Sequence, residues 1–170
     1  MNEPKQVLVT YYSLTGNTAR VAQDLASRLG ADVETIQDPR HGKGTFGQFT
    51  AAFDAWRKAP ARIGFLRHDP AHYALTVVGT PVWMWQMTPA IRAYLNTTRG
   101  RARHLAFFVT SGDTDIKRVA PSLEAAAGQR AVALTGFNAR ELANHFTYER
   151  KLGDFIEAIR RACSSMQRVA

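Results

Sequence analysis

The sequence predicts an α/β fold, an open doubly wound parallel sheet with helices on both faces. Three observations predict it. Short runs of consecutive apolar residues recur, as in strands covered on both sides. Helical patterns separate them, so strand and helix alternate five times along the chain. The turns leaving the first, third and fourth strands are rich in hydroxyl, glycine and aromatic residues, and such sheets bind ligands at the carboxyl ends of their strands. With 170 residues, 45% of them hydrophobic, the chain is expected to form one domain over 1–170 with a full core.

The first strand covers 7–10, apolar at Val7, Leu8 and Val9 in succession. Val21, Leu25 and Leu29 then repeat every four residues, a helix over 18–29 that Gly30 ends. A short second strand over 31–36 is anchored by Val33 and Ile36. Pro39, Gly42, Gly44 and Gly47 open a long connection over 38–72. Within it Phe46, Phe49, Phe53 and Trp56 predict a short helix over 46–58 that Pro60 closes. The third strand is 75–78. A third helix starts near Thr88, the expected cap, with Pro89 in its first position. The fourth strand is 104–110, followed by a helix over 116–127. The fifth strand is 131–135, and a last helix runs over 148–163 with Leu152, Phe155, Ile156 and Ile159 on one face.

Composition narrows the function. Lys and Arg number 22 and Asp and Glu 14, a formal net charge of +8. The basic residues are scattered, and Arg99-Gly-Arg-Ala-Arg103 is the densest cluster. Without a dense basic stripe interleaved with aromatics, nucleic acid is not an expected partner. The single cysteine, Cys163, rules out an internal disulfide and a cysteine-rich metal site, and its place in an amphipathic helix makes it a passive side chain. No stretch has the ~18 apolar residues of a membrane span, and the polar N-terminal residues carry no signal-peptide core, so the expected location is the cytoplasm. The five histidines lack metal-ligand spacing, no metal site is expected, and there is no Gly-x-Ser-x-Gly elbow.

Three turns carry the chemistry. The first, Ser13-Leu14-Thr15-Gly16-Asn17-Thr18, joins a buried strand to a helix. Hydroxyls and unsatisfied backbone N–H groups gather there at a helix N-terminus, which favours a phosphate, and Gly16 lets the backbone come close. A plain helix cap is the alternative. The second, Thr80-Pro81-Val82-Trp83-Met84-Trp85, puts two indoles in one loop, suited to stacking on a flat ring; filling core is the alternative. The third, Thr110-Ser111-Gly112-Asp113, offers N–H groups beside a glycine, while Asp115 reads as a cap of the next helix.

The first turn resembles the phosphate loop of flavodoxins: a hydroxyl residue, any residue, Thr, Gly, any residue, Thr. No lysine follows Gly16, which suits the phosphate of flavin mononucleotide (FMN) better than a nucleoside triphosphate. The second turn is similar to the aromatic loop and the third to the ring-edge loop of the same family. The resemblance implies a flavodoxin-like three-layer sandwich of the short type, with a five-stranded parallel sheet in the order 2-1-3-4-5. It also implies FMN held by the sixteen residues of the three turns, with Trp83 the nearer indole to the ring. No protein group is required as a catalytic residue, because the flavin carries the redox chemistry.

Two functions follow from the resemblance: an electron carrier of the flavodoxin type, or a small NAD(P)H-dependent reductase acting on quinones or similar acceptors. The absence of a separate nicotinamide-binding domain favours the carrier. A binding module with an empty cleft is the non-enzymatic alternative. Flavodoxins are usually acidic and this chain is basic. Its redox partners are therefore expected to be acidic proteins, unless nicotinamide and a small acceptor take their place. Its lower reduction potential is expected to be less negative than that of an acidic relative.

Overall fold

The computed structural model describes residues 6–37, 63–83, 85–113 and 115–168. The expected helix over 46–58 and Met84 lie outside them. The elements are β1 (Val7–Tyr11), α1 (Asn17–Leu29), β2 (Asp32–Thr35), a single 3₁₀ turn (Pro70–His72), β3 (Leu75–Trp83), β4 (Gln86–Met87), α2 (Pro89–Thr97), β5 (Leu105–Ser111), α3 (Ile116–Ala127), β6 (Ala131–Asn138), α4 (Ala139–Ala143) and α5 (His145–Gln167).

The sheet runs β2-β1-β3-β5-β6, all neighbours parallel, with β4 paired antiparallel to the end of β3. Counting parallel strands alone, this is the order 2-1-3-4-5. The sixth, two-residue strand is an addition that the sequence pattern does not announce. The doubly wound α/β fold with helices on both faces stands as expected.

Strand residues are apolar in succession because each face has its own helical layer. Val7, Val9 and Tyr11 of β1, Leu75 and Val77 of β3, and Ala106 and Phe108 of β5 join one core. Val21, Ala22 and Leu25 of α1 and Leu152, Phe155, Ile156 and Ile159 of α5 complete it. The alternate residues Val78, Val82, Leu105, Phe107 and Val109 join the other core, under Ile91, Tyr94 and Leu95 of α2 and Val119 and Leu123 of α3. Each Val, Leu, Ile or Phe among them contributes about 1.5–3 kcal/mol on burial. Cys163 lies buried in the first core, and burial pushes its thiol pKa up, which keeps it protonated and inert.

β3 outlasts its neighbour. Its last residue paired with β1 is Gly79, opposite Tyr11, yet it continues to Trp83. Gly79 accepts a hydrogen bond from the Tyr12 N–H, so alternation turns Pro81 to the same side, beyond the end of β1. A proline there interrupts no ladder bond, which is how it stands inside a central strand. The overhang carries the second predicted turn out past the sheet edge.

Candidate functional site

The three predicted turns meet at one edge of the sheet, because a helix that follows a parallel strand starts at that strand's carboxyl end. In the first, Gly16 takes φ 91, the left-handed region open to glycine, and caps α1 without a side-chain bond. Ser13 does the capping from outside: its Oγ accepts the N–H groups of Gly16 and Ala19, both at 3.2 Å. Among the described residues, no acceptor meets the N–H groups of Asn17 and Thr18. Thr15, Gly16 and Asn17 are exposed, and a Cβ on Gly16 would meet no atom within 4 Å. The loop is thus open above a helix N-terminus. Leu14 packs partly against the second core and anchors it.

The Thr18 hydroxyl points inward instead of into the loop. It lies 2.7 Å from Thr110 Oγ1, and each residue is 2% exposed. This bond ties the first turn to the third. Thr80 is likewise turned inward: its Oγ1 donates to the Pro81 carbonyl at 2.9 Å and accepts the Thr88 N–H at 3.2 Å. Thr88 occupies the cap position of α2 as expected, but its side chain makes no cap bond and faces Thr80.

The second turn is a hairpin, with Val82 opposite Met87 and Trp83 opposite Gln86. Pro81 and Val82 are buried, and the side chain of Trp83 lies outside the description. Trp85 is at the tip, 56% exposed, with φ 60. A bulky residue in the left-handed region carries strain of order 1–3 kcal/mol. The Arg118 guanidinium lies 6.0 Å from the centre of its indole. In the third turn, Ser111 is half-buried, Gly112 and Asp113 are exposed, and a Cβ on Gly112 would meet nothing within 4 Å. Asp115 caps α3, accepting the Lys117 N–H at 3.0 Å.

Beside the third turn is a cavity of about 290 Å³ lined by Asp113, Asp115, Ile116, Gly136, Asn138, Glu141 and Lys151. Sequence reasoning missed its far wall, although Asn138-x-x-Glu141 spells the capping box that opens α4. Lys151 Nζ donates to both Glu141 carboxylate oxygens at 2.9 Å and to the Gly136 carbonyl. Burial raises the Glu141 pKa, but the Asn138 N–H and Lys151 outweigh it, so the net shift is downward from 4.5. The stability this group contributes is therefore complete above its ordinary value and is lost as pH falls through the lower folded one. In melts between pH 7 and pH 3, the Tm gap between wild type and Glu141→Gln is expected to hold near neutrality and shrink in acid. A gap that does not change with pH contradicts this assignment.

No helix among the described residues is long and apolar enough to cross a membrane. No group of three His, Cys, Asp or Glu among them is placed to hold a metal ion.

A family model described as flavodoxin matches residues 6–159. No curated protein sequence matches the chain. Among solved structures, a flavoprotein in complex with FMN from Lactobacillus acidophilus is similar at 22% identity and TM-score 0.64, over 82% of this chain and 97% of that one. A candidate flavoprotein from Bacteroides eggerthii is similar at 19% identity and TM-score 0.72, over 91% and 98%. A rubredoxin:oxygen oxidoreductase from Desulfovibrio gigas is similar at 16% identity and TM-score 0.59; the match takes in 94% of this chain and 36% of that one. At these identities the likeness is one of fold.

Proposed function

Because the chain belongs to the flavodoxin family, we propose that it binds FMN and carries electrons between partner proteins. The observation that carries this reading is the open turn between β1 and α1. It offers uncommitted N–H groups at Asn17 and Thr18, the exposed Thr15 hydroxyl, and space over Gly16. Such donors at the positive end of a helix dipole fit a phosphate without any lysine. In this reading Ser13, Leu14, Thr15, Gly16, Asn17 and Thr18 form the phosphate cradle. Ser13 and Thr18 act by holding its backbone in shape. Thr80, Pro81 and Val82 fix the base of the hairpin, and Trp85 at its tip forms the wall against the ring. Thr110, Ser111, Gly112 and Asp113 line the ring's polar edge, where the space over Gly112 admits it. FMN, when bound, supplies the capacity to take up one or two electrons.

Among the described residues, the exposed cations in the first turns of the helices at this edge are Arg20, Arg92, Lys117, Arg118 and Arg140, against the exposed carboxylates Asp113 and Asp115. That balance supports an acidic redox partner, whose association rate falls as salt is added. The lone, buried thiol fits the reducing interior of a cell, and we place the protein in the cytoplasm.

The test is to mix the FMN-loaded protein with NADPH, with and without a quinone. Slow bleaching without sustained turnover is the expected result. Rapid turnover on adding quinone overturns the carrier in favour of the reductase.

A further inference from the structure

We propose that the charge of Arg118 sets how strongly this site holds reduced FMN relative to oxidised FMN. The inference rests on the FMN reading above and concerns what this chain adds to it. Arg118 stands in the first turn of α3, directly after the third turn of the site. Its backbone N–H donates to the Asp115 carbonyl at 3.1 Å, which fixes its start. Its guanidinium reaches across to the tip of the β3–β4 hairpin and lies 6.0 Å from the centre of the Trp85 indole. It thereby joins the second and third turns, the two walls between which the ring would lie.

Two features make this contact more than a surface pairing. Among the described residues no carboxylate forms an ion pair with Arg118. The neighbouring Asp115 is engaged in capping α3, and Asp113 is exposed. The charge of Arg118 is therefore left to act on whatever enters the site. The indole it covers, moreover, is held exposed in a left-handed backbone conformation that packing against the core does not explain. A guanidinium over an aromatic face contributes about 0.5–1 kcal/mol at an exposed site. Arg118 lies over the Trp85 indole at the outer limit of such a contact, so a flat ring packed on the hairpin tip would have it as a nearby cation.

Oxidised FMN is neutral in its ring system, whereas two-electron-reduced FMN carries a negative charge there near neutral pH. A nearby cation favours the second over the first. Lys117, its neighbour in sequence, is exposed and makes no such contact with Trp85, so it serves as the control.

The experiment measures dissociation constants of oxidised and of reduced FMN, with the two-electron midpoint potential, in wild type, Arg118→Ala, Arg118→Lys, Arg118→Glu and Lys117→Ala. Arg118→Ala is expected to weaken reduced FMN about five- to tenfold relative to oxidised FMN. At 29.6 mV per tenfold for two electrons, the potential falls by about 20–30 mV. Arg118→Lys keeps most of the preference, Arg118→Glu loses more, and Lys117→Ala changes it less than twofold. Equal weakening of both forms by Arg118→Ala assigns the residue to packing alone and overturns the proposal, as does an equal shift in Lys117→Ala. Failure of the wild type to bind FMN at all is seen before any variant is made. It overturns the functional reading itself, and this inference with it.

Discussion

Replacing Gly79 by alanine is expected to destabilise the protein by about 3 kcal/mol or more, at the upper end of what overpacking costs. A Cβ at that position would lie 2.1 Å from Phe108 Cζ, with two further ring atoms at 2.4 and 2.7 Å. Phe108 is fully buried and stands beside Gly79 in the register of β3 and β5. Its ring lies in the core under α1 and α5, where density leaves no room to retreat. Urea unfolding measures the loss. Phe108→Leu on top of Gly79→Ala should recover part of it, because the smaller side chain vacates the space the methyl needs. A change under 1 kcal/mol in the single variant contradicts the close approach of the two strands. The consequence reaches function, since Gly79 is the last residue of β3 beside β1 before the overhang that carries the hairpin.

Thr110→Val is the second large effect. It removes one partner of the buried Thr18–Thr110 bond and leaves the Thr18 hydroxyl unmet at 2% exposure. Leaving a buried hydroxyl unsatisfied costs about 1–3 kcal/mol. Replacing both residues by valine removes both polar groups together, so the double variant is expected to recover most of the loss. That asymmetry distinguishes a specific bond from general sensitivity of the region: single and double variants equally unstable would contradict it. Because the bond ties the phosphate turn to the ring-edge turn, Thr110→Val should also weaken FMN, and more than Thr18→Val/Thr110→Val does.

The fold was legible in the sequence where local rules coincide. Val7-Leu8-Val9 followed by Ser13 to Thr18 and the Val21–Leu25–Leu29 stripe marks strand, turn and helix, because each pattern depends on near neighbours in the chain. Gly30 and Asp115 act at helix ends as their types suggest. The hairpin was not legible. Two-residue hairpin loops usually advertise themselves with Asn-Gly or Gly, whereas here the positive φ falls on Trp85. Pro81 is a residue type that central strands exclude, and only the shorter β1 frees its side of β3. The extension of the last strand to Asn138 and the early start of α5 at His145 escaped because Gly136 and Asn138 are residue types that strands disfavour, and His145, Phe146 and Thr147 rank low as helix formers, so packing overrides local preference at both places.

The site divided along the same line. The three turns of the candidate site are legible as turns, since each follows a strand. The inward direction of the Thr18, Thr80 and Thr110 hydroxyls is not, because Thr18 in α1 meets Thr110 on β5, 92 residues away, and Thr80 meets Thr88 after a reversal of the chain. Arg118 over Trp85, and Lys151 reaching Gly136 and Glu141, are likewise contacts made by folding and have no signature in sequence spacing.

The claim on which the functional account rests is that the turn between β1 and α1 grips a phosphate. Titrating the flavin-free protein with FMN and with riboflavin, which lacks only the phosphate, tests it most directly. The account predicts that FMN binds at least about 100-fold more tightly, since hydrogen bonds to a charged group contribute about 1.5–3 kcal/mol each, and that the advantage shrinks in high salt. Equal affinity for the two flavins, or no binding of either, contradicts it.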